Sequence, residues 1–288
     1  MSIVEAVVLG VVQGLTEFLP VSSTAHLLIV PALAGWEDPG AAFTAVIQCG
    51  TLAAVCWALR RDLVGLARGF FTGLAAGRPL ATAESRLAFL ILLGTLPIVV
   101  AGFLLRHQIR GEARRLEVVT AALVAATGLM AAAELVQARR VRRGHGVGRA
   151  GLDEVRFADG IAIGLAQMLA LVPGTSRSGV TISTAMLGGL DRPTAARFSF
   201  LLSLPAVAAA GVLEAWQQRR EIFGSPADAA AAVTGTLVAA IVGYAAIRWL
   251  LRMLTSHTLW PFIVYRLALA GLLAWALAAG RIAALAPG

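Results

Sequence analysis

The fold is decided by the stretch Gln13-Gly14-Leu15-Thr16-Glu17-Phe18-Leu19-Pro20-Val21-Ser22-Ser23-Thr24-Ala25-His26, in which charged and polar groups interrupt an apolar segment. A second stretch of this kind is Leu171-Val172-Pro173-Gly174-Thr175-Ser176-Arg177-Ser178-Gly179. Even on the mildest scale, an Arg or Asp at the centre of a bilayer costs about 2.5 to 3.5 kcal/mol, so such groups normally face a cavity and serve a function. The two stretches therefore predict a membrane-embedded site for an anionic ligand.

The rest of the composition is that of an integral membrane protein. Of the 288 residues, 58% are hydrophobic and 14% are charged, whereas a soluble domain averages about 25% charged residues. Repeated apolar runs bounded by arginine clusters favour helices over a β-barrel. The net charge of +8 favours contact with the headgroups of anionic membrane lipids. No basic stripe is interleaved with aromatic residues, so the sequence indicates no binding to nucleic acid.

The hydrophobic pattern predicts an all-α polytopic membrane protein with a single domain over residues 1–288. Two apolar regions, 3–30 and 157–190, are broken midway by proline and polar residues, which is typical of re-entrant helical hairpins that line a cavity. About six further segments have the length of roughly 20 residues that a transmembrane helix needs. These predicted spans are 41–59, 87–105, 118–138, 195–216, 229–252 and 261–280.

The two broken regions resemble each other in sequence. Gly10-x-x-Gln13 matches Gly164-x-x-Gln167, and Pro20-x-Ser22-Ser23 matches Pro173-x-Thr175-Ser176 after a gap of one residue. We interpret the match as an internal repeat. The alternative is a chance similarity between apolar, glycine-rich helices.

The distribution of arginine predicts how the halves are oriented. Loops 60–86 and 139–156 are rich in arginine and are separated by two spans, so they share one side, which the positive-inside rule makes the cytoplasm. The first hairpin then opens to the exterior and the second to the cytoplasm. The halves, approximately 1–138 and 157–280, form an inverted repeat, an arrangement that builds a site near the midplane. The four arginines of loop 106–117 count against this orientation.

Two polar side chains precede the first break. Gln13 and Glu17 are four residues apart, so they share one face of a helix. Glu17 is the only carboxylate in either core. Since magnesium typically uses one or two carboxylates together with substrate phosphates, Glu17 is the natural ligand for a divalent cation. The alternatives are a protonated Glu17 with a structural hydrogen bond and a purely structural ion pair with Arg177.

A hydroxyl-rich run follows the first break. Pro20 ends or kinks the first helix, and the hydroxyls of Ser22, Ser23 and Thr24 suit the start of a new one, whose free amides favour phosphate. If that helix begins near Ser22, Ser23 and His26 lie on one face. A hydroxyl beside an imidazole is the minimum needed for an activated nucleophile. The alternative is that His26 merely caps a backbone carbonyl.

The second break is suited to an anion. Gly174 allows close approach of the backbone, and successive amides in such a segment form an anion-binding nest. Arg177 supplies a planar fork that grips phosphate oxygens in bidentate fashion. The neighbouring hydroxyls of Thr175, Ser176 and Ser178 serve equally well as phosphate ligands or as helix caps.

Both stretches resemble the signature motifs of the undecaprenyl-diphosphate phosphatases, bacterial lipid-carrier phosphatases associated with bacitracin resistance. The similarity runs over nearly the whole chain and includes Phe43-Thr44-Ala45-Val46-Ile47-Gln48. It implies hydrolysis of a polyprenyl diphosphate lipid, undecaprenyl diphosphate, to undecaprenyl phosphate and inorganic phosphate, which recycles the carrier for cell-wall synthesis. It also implies a multi-pass protein of the bacterial plasma (inner) membrane whose site is reached from the periplasm or exterior.

The resemblance further implies a divalent cation, Mg2+ or Ca2+, held by Glu17. The residues that match catalytic positions of the family are Glu17, Ser23, His26 and Arg177. The candidate substrate-binding residues are Gln13, Ser22, Thr24, Gly174, Thr175, Ser176 and Ser178. Gln13 departs from the form in which two glutamates stand a helical turn apart, so metal coordination rests on Glu17, completed by phosphate oxygens and water.

Several readings stay open at this stage. Ser23, deprotonated by His26, attacks the terminal phosphorus, or His26 activates water and Ser23 only binds phosphate. Transport of the lipid is the strongest competing function, because inverted repeats with broken helices are typical of transporters. The soluble-type acid phosphatases expect a motif led by lysine, and the chain has no lysine. The oligomeric state is undetermined, a homodimer being one arrangement.

Overall fold

The structure is a computed structural model that describes residues 1–105, 108–109, 113, 115–222 and 224–280. Most of the described residues are helical, and one isolated β-bridge joins Arg149 to Leu190. The helices are α1 (Ile3–Phe18), α2 (Ser23–Ala34), α3 (Gly40–Ala58), α4 (Arg60–Ala75), α5 (Ala83–Leu104), α6 (Leu116–Arg142), α7 (Phe157–Gln167), α8 (Arg177–Leu187), α9 (Arg192–Gln217), α10 (Arg219–Ile222), α11 (Pro226–Met253) and α12 (Trp260–Ala278). Of the arginines in the predicted loop 106–117, Arg106, Arg110 and Arg114 lie outside the described residues.

Five helices are long and apolar enough to cross a membrane, namely α5, α6, α9, α11 and α12. They confirm five of the six predicted spans and the prediction of an all-α, multi-pass membrane protein. The sixth predicted span, 41–59, corresponds to α3, whose axis turns by 78° into α4. The described part of the chain therefore has five spanning helices, or six if this bent pair is one span.

Helix α4 corrects the prediction of a loop over residues 60–86. Its sequence is amphipathic, with Leu66, Gly69 and Gly73 buried on one face and arginines on the other. A Cβ on Gly69 would lie 2.7 Å from the Cβ of Glu84 in α5, so the absence of a side chain lets the two helices pack closely. The arginines that suggested a loop instead cover the outer face of a packed helix.

Two helical hairpins interrupt the bundle where the sequence has its breaks. In the first, α1 and α2 are joined by residues 19–22; in the second, α7 and α8 are joined by the 3-10 turn Met168–Leu171 and residues 172–176. Ile3 and Phe157, which begin α1 and α7, are 154 positions apart, and so are Ser23 and Arg177, which begin α2 and α8. The helix starts thus match without the one-residue gap of the sequence comparison, so Ser22 corresponds to Ser176 rather than Thr175. The origin of both halves from one repeat stays a prediction.

At one end of the bundle, which we call the arginine end, ion pairs and hydrogen bonds of arginine side chains join several helices and loops. Arg197 near the start of α9 is 2.7 Å from Asp62 in α4. Arg86 near the start of α5 donates to the carbonyl of Asp153, which follows α6. The arginine-rich segments before α5 and after α6 therefore share a side, as predicted.

The second hairpin begins and ends at this arginine end. Arg149 makes two hydrogen bonds to Asp159 in α7, at 2.8 and 3.0 Å, and these bonds raise the pKa of the Arg149 guanidinium. Arg149 also donates to the carbonyl of Gly188, directly after α8. Arg140 donates to the carbonyl of Met186 in the last turn of α8.

The first hairpin begins and ends at the opposite end, which we call the acidic end. Glu5 in the first turn of α1, Glu37 and Asp38 after α2, and Asp228 at the start of α11 line one cavity there. The two hairpins therefore enter the bundle from opposite ends and meet inside it, which is the inverted arrangement predicted from the sequence.

The first arm of each hairpin packs on a spanning helix through glycine. A Cβ on Gly10 of α1 would lie 2.6 Å from the carbonyl oxygen of Gly235 in α11, and a Cβ on Gly164 of α7 would lie 2.5 Å from that of Gly94 in α5. Small residues permit this close backbone approach between membrane helices. The contacts fix how deep each break lies.

Candidate active site

The two breaks form one site although they are far apart in the chain. Ser178 of the second hairpin donates a hydrogen bond to the carbonyl of Leu19 in the first break, at 3.1 Å. Arg177 donates to Glu17, with Nη2 and Oε1 2.6 Å apart. The contacts place the chemistry-bearing residues of both sequence motifs side by side.

Each break turns at a serine with positive φ. Ser22 has φ 79° and ψ 95°, and Ser176 has φ 69° and ψ 107°; among the described residues these are the only non-glycine positions with positive φ. Such a conformation costs about 1 to 3 kcal/mol and persists only where the surroundings over-determine it. Gly174 also has positive φ, and a Cβ there would lie 2.3 Å from the carbonyl oxygen of Val119. The backbone of both breaks is thus tightly held.

The starts of the second arms differ in how they are capped. Ser176 accepts a hydrogen bond from the amide of Gly179, as a helix cap does. Ser22 makes no such bond to the first amides of α2; its hydroxyl lies 3.2 Å from that of Thr24 instead. The prediction of a hydroxyl cap is right for Ser176 and wrong for Ser22. Amides that no side chain caps favour an anion at the start of α2.

Glu17 is the hub of the site. Its Oε2 accepts from Gln13 Nε2 at 3.0 Å and from Ser23 Oγ at 2.7 Å, and its Oε1 accepts from Arg177. The carboxylate is only 7% exposed. Gln13 and Glu17 share a helix face, as the spacing predicts. The ion pair with Arg177, an alternative at the sequence level, is formed, and it holds the guanidinium at the edge of the cavity.

The predicted pairing of Ser23 with His26 is wrong in this structure. Ser23 begins α2 and turns its hydroxyl to Glu17, whereas His26 lies buried one turn further on and faces α12. His26 Nδ1 lies 2.7 Å from the carbonyl oxygen of Ser22, and Nε2 lies 2.6 Å from the hydroxyl of Tyr265. Because a carbonyl only accepts, Nδ1 carries a proton. When the imidazole is neutral, its Nε2 has no proton and accepts a hydrogen bond from the hydroxyl of Tyr265.

A cavity of about 180 Å³ opens at the junction of the breaks. Its polar wall consists of Glu17, Ser22, Ser23, Thr24, Gln48, Ser176 and Arg177, and its apolar wall includes Ile98, Ala170 and Val207. The remaining predicted site residues do not line the cavity and are buried around it: Gln13, His26, Gly174, Thr175 and Ser178. The size suits a phosphate headgroup rather than a whole lipid, since pockets for drug-sized ligands occupy about 300 to 1,000 Å³.

Three residues near the two breaks are not predicted from the sequence. Gln48 of α3 lines the cavity. Tyr265 and Arg266 of α12 reach the first turn of α2 and the backbone of both breaks, respectively. Arg266 lies within the predicted span 261–280, so the cost of a charge at bilayer depth, which singled out Arg177, was the signal that could have found it.

Comparison with known proteins assigns the chain to a family. The family model for bacitracin resistance protein BacA matches residues 6–272. The chain belongs to the BacA family. A relative named undecaprenyl-diphosphatase from Chlorobium limicola is 48% identical over 284 residues, which cover 99% of this chain and 100% of that protein. One of the same name from Myxococcus xanthus is 49% identical over 282 residues, covering 98% and 91%.

The BacA match spans both breaks and every helix that contributes to the cavity. A third undecaprenyl-diphosphatase, from Chlorobaculum tepidum, is 49% identical over 269 residues, which cover 93% of this chain and 95% of that protein. The resemblance drawn from the two sequence motifs is therefore confirmed.

The donor set of the cavity fits a hard divalent cation. Among the described residues, no three or more His, Cys, Asp or Glu side chains converge as a ready metal cluster. The cavity instead offers one carboxylate, Glu17, with the hydroxyls of Ser22, Ser23 and Thr24. All are oxygen donors, as magnesium and calcium prefer, and magnesium commonly takes its other ligands from phosphate and water. A cation held by Glu17 would share that carboxylate with Arg177.

Proposed function

We propose that this chain hydrolyses undecaprenyl diphosphate to undecaprenyl phosphate and inorganic phosphate, and so recycles the lipid carrier of cell-wall synthesis. The observation that carries the proposal is the hydrogen-bonded set Ser23–Glu17–Arg177 at the junction of the two breaks. It joins a hydroxyl, a carboxylate and a guanidinium beside a headgroup-sized cavity. The relatives named undecaprenyl-diphosphatase, similar over nearly the full length, support it.

Arg177 and the first amides of α2 bind the diphosphate in this mechanism. A guanidinium has five N–H groups, and the bond to Glu17 uses one of them, so Arg177 retains donors for phosphate oxygens. The uncapped amides at the start of α2 approach the same phosphate from the other break. Preorganised donors of this kind supply most of the rate enhancement in phosphoryl transfer.

Ser23 is the nucleophile and Glu17 its base. The hydroxyl already donates to Glu17 Oε2 at 2.7 Å, which is within reach for proton transfer. Ser23 Oγ bonds to the terminal phosphorus, its proton passes to Glu17, and the bond from that phosphorus to the bridging oxygen breaks, releasing undecaprenyl phosphate. Water then attacks the phosphorus of the phosphoserine, the bond from phosphorus to Ser23 Oγ breaks, and Oγ takes back the proton from Glu17, which releases inorganic phosphate and restores both residues.

A divalent cation, Mg2+ or Ca2+, held by Glu17 and the cavity hydroxyls would supply further positive charge against the diphosphate. Gln13 keeps Glu17 in place through its amide, and as a neutral side chain it leaves Glu17 as the sole carboxylate in the set. His26, braced between Ser22 and Tyr265, positions the first turn of α2.

The isoprenoid tail would leave the headgroup cavity along an apolar groove between α5 and α7. The groove holds about 650 Å³ and is lined by Leu93, Pro97, Ala101, Leu104, Leu165 and Met168, among others. Pro97 directly precedes Ile98 of the headgroup cavity, and Met168 lies two residues before Ala170. The same two segments of the chain therefore contribute to both spaces, and surrounding membrane lipids would complete the groove.

The protein would lie in the bacterial plasma (inner) membrane with the arginine end in the cytoplasm, following the positive-inside rule. Gly174 of the second break packs against Val119, near the start of α6. Because α6 ends at the arginine end, its start lies toward the acidic end. The cavity is then closer to the periplasm or exterior, from which the lipid headgroup would enter.

The deciding experiment is phosphate release from undecaprenyl diphosphate by the purified protein in detergent, with Mg2+ present. Release should fall by about a thousandfold or more in Glu17→Gln and Arg177→Met, because each removes a group that acts in the transition state. Arg197→Met at the arginine end is the matched control and should keep nearly full activity. A folded protein that binds the lipid but releases no phosphate would overturn the proposal in favour of transport.

A further inference from the structure

Arg266 is a fully buried arginine in the middle of α12. It has no surface in the headgroup cavity, so it is not a phosphate ligand there. It nevertheless donates hydrogen bonds to backbone carbonyls of both breaks. Among the described residues, no other side chain does so. The role of this arginine is distinct from that of Arg177.

The hydrogen-bond partners described for the Arg266 guanidinium are all neutral oxygens. Its Nε donates to Thr127 Oγ1 at 2.8 Å. The other nitrogens donate to backbone carbonyls: Nη1 to Pro20 at 3.4 Å, and Nη2 to Leu123 at 3.1 Å, Gly174 at 3.1 Å and Thr175 at 3.2 Å. Three of these carbonyls belong to the breaks, one to the first and two to the second.

A partly buried arginine elsewhere in the bundle shows how unusual this environment is. Arg192 is bonded through Nε, at 2.9 Å, and Nη2 to the carboxylate of Glu134, which is 1% exposed. Arg266 has no carboxylate among its described hydrogen-bond partners. A buried charge without a counter-ion is costly, and at bilayer depth such groups are normally functional.

We propose that Arg266 is the positioning residue that locks both breaks in the conformation that receives the phosphate. The proposal rests on the phosphatase function put forward above. In a planar trans peptide the carbonyl and the following amide point in opposite directions. Because the Thr175 carbonyl points to Arg266, the amide N–H of Ser176 points away from Arg266. The same bond keeps the negative end of this carbonyl dipole from facing the diphosphate.

The same contacts explain how the strained serines persist. Ser176 directly follows Thr175, and Ser22 lies two residues after Pro20, so each positive-φ serine lies within two residues of a carbonyl that accepts from Arg266. Buried carbonyls without a donor would force the turns to rearrange. One guanidinium thus sets both turns at once and ties the two hairpins together.

The test compares Arg266→Lys with Arg192→Lys in the full chain. Lysine keeps the charge, but its compact ammonium cannot serve five acceptors spread around a planar fork. We expect kcat to fall about 100-fold, the scale of loss from slight misplacement of reacting groups. KM should change less than kcat, because the substitution leaves the proposed groove for the apolar tail intact. Arg192→Lys should stay within about twofold of the wild type for kcat, because its ion pair lies away from the cavity.

A second readout does not depend on the reaction. Hydrogen–deuterium exchange of the ligand-free protein should speed up in peptides covering both 19–24 and 172–178 in Arg266→Lys, and in neither with Arg192→Lys. Faster exchange at only one break, or at neither, would overturn the inference even if phosphatase activity is established. If the wild type releases no phosphate, this arm still decides whether Arg266 holds the breaks.

A milder variant covers the case in which Arg266→Lys does not fold. Thr127→Val removes the acceptor of Arg266 Nε and leaves the arginine in place, so kcat should fall about tenfold, the worth of one hydrogen bond to a charged group. Thr127→Ser, which restores the hydroxyl, should recover most of this loss. Equal kcat in Thr127→Val and wild type would count against the proposal.

Discussion

Ser23 Oγ lies 2.7 Å from Glu17 Oε2, so the hydroxyl with the best claim to be the nucleophile donates to the carboxylate and not to the imidazole of His26. The bond crosses from the first turn of α2 to the last turn of α1. It places the proposed base and nucleophile on the two arms of one hairpin, and the geometry of residues 19–22 sets their distance.

The nucleophile can be identified through Ser23→Ala. If Ser23 attacks phosphorus, kcat should fall at least about a thousandfold, whereas loss of a mere phosphate ligand costs about tenfold. Rapid acid quenching of the wild type, followed by mass spectrometry, should reveal a phosphorylated peptide that contains Ser23. Full turnover without such a species, together with a mild loss in Ser23→Ala, would assign the attack to water.

The hydrogen bond between His26 and Tyr265 predicts a selective effect of Tyr265→Phe. Removing the hydroxyl leaves His26 Nε2 without its partner, and the first turn of α2 should shift enough to lower kcat about tenfold. The chain has two tyrosines, and Tyr244→Phe in α11 is the matched control. Similar kcat values in both variants would show that the contact with His26 does not matter for turnover.

The metal proposal can be tested by chelation and by restoring a second carboxylate. EDTA should abolish phosphate release, and Mg2+ or Ca2+ should restore it. Gln13→Glu places a second carboxylate one helical turn before Glu17, which should lower the metal concentration for half-maximal activity about tenfold, because magnesium sites commonly use one or two carboxylates. Activity that persists in excess EDTA would exclude the cation from the reaction.

If the groove between α5 and α7 holds the isoprenoid tail, a substitution there should affect long-chain substrates more than short-chain ones. Leu165→Trp fills the groove, and overpacking of this kind should lower kcat/KM for undecaprenyl diphosphate about tenfold. Turnover of a short farnesyl diphosphate should change little. Leu237→Trp, on the exposed surface of α11, is the control. An equal loss for both substrates in Leu165→Trp would place the tail elsewhere.

The position of the site could be predicted because its polar residues violate the rules of the surrounding membrane helices. Glu17 and Arg177 are opposite charges in two apolar breaks, and the structure pairs them. Spacing alone misled for Ser23 and His26, since residues on one helix face still turn to different partners across the bundle. Their actual partners, Glu17 and Tyr265, are set by tertiary packing, which spacing within one helix does not reveal.

Two further features were missed for related reasons. The sequence predicts a loop in place of helix α4 because the arginines make the segment polar on average. This average conceals the buried face at Leu66, Gly69 and Gly73. Arg266 was missed because one charge in the long apolar run of α12 does not interrupt the hydropathy pattern. In both cases the pattern averaged over a segment concealed what a single face or residue does.

The hydrogen bonds of Arg266 to both breaks have a consequence for the biosynthesis of the protein. The bond from Arg266 to Pro20 spans 246 positions of the chain, and α12 follows both hairpins in the sequence. The ribosome therefore synthesises every residue that lines the cavity before it synthesises Arg266. On the proposed role of Arg266, a nascent chain would reach full turnover only once α12 has entered the membrane.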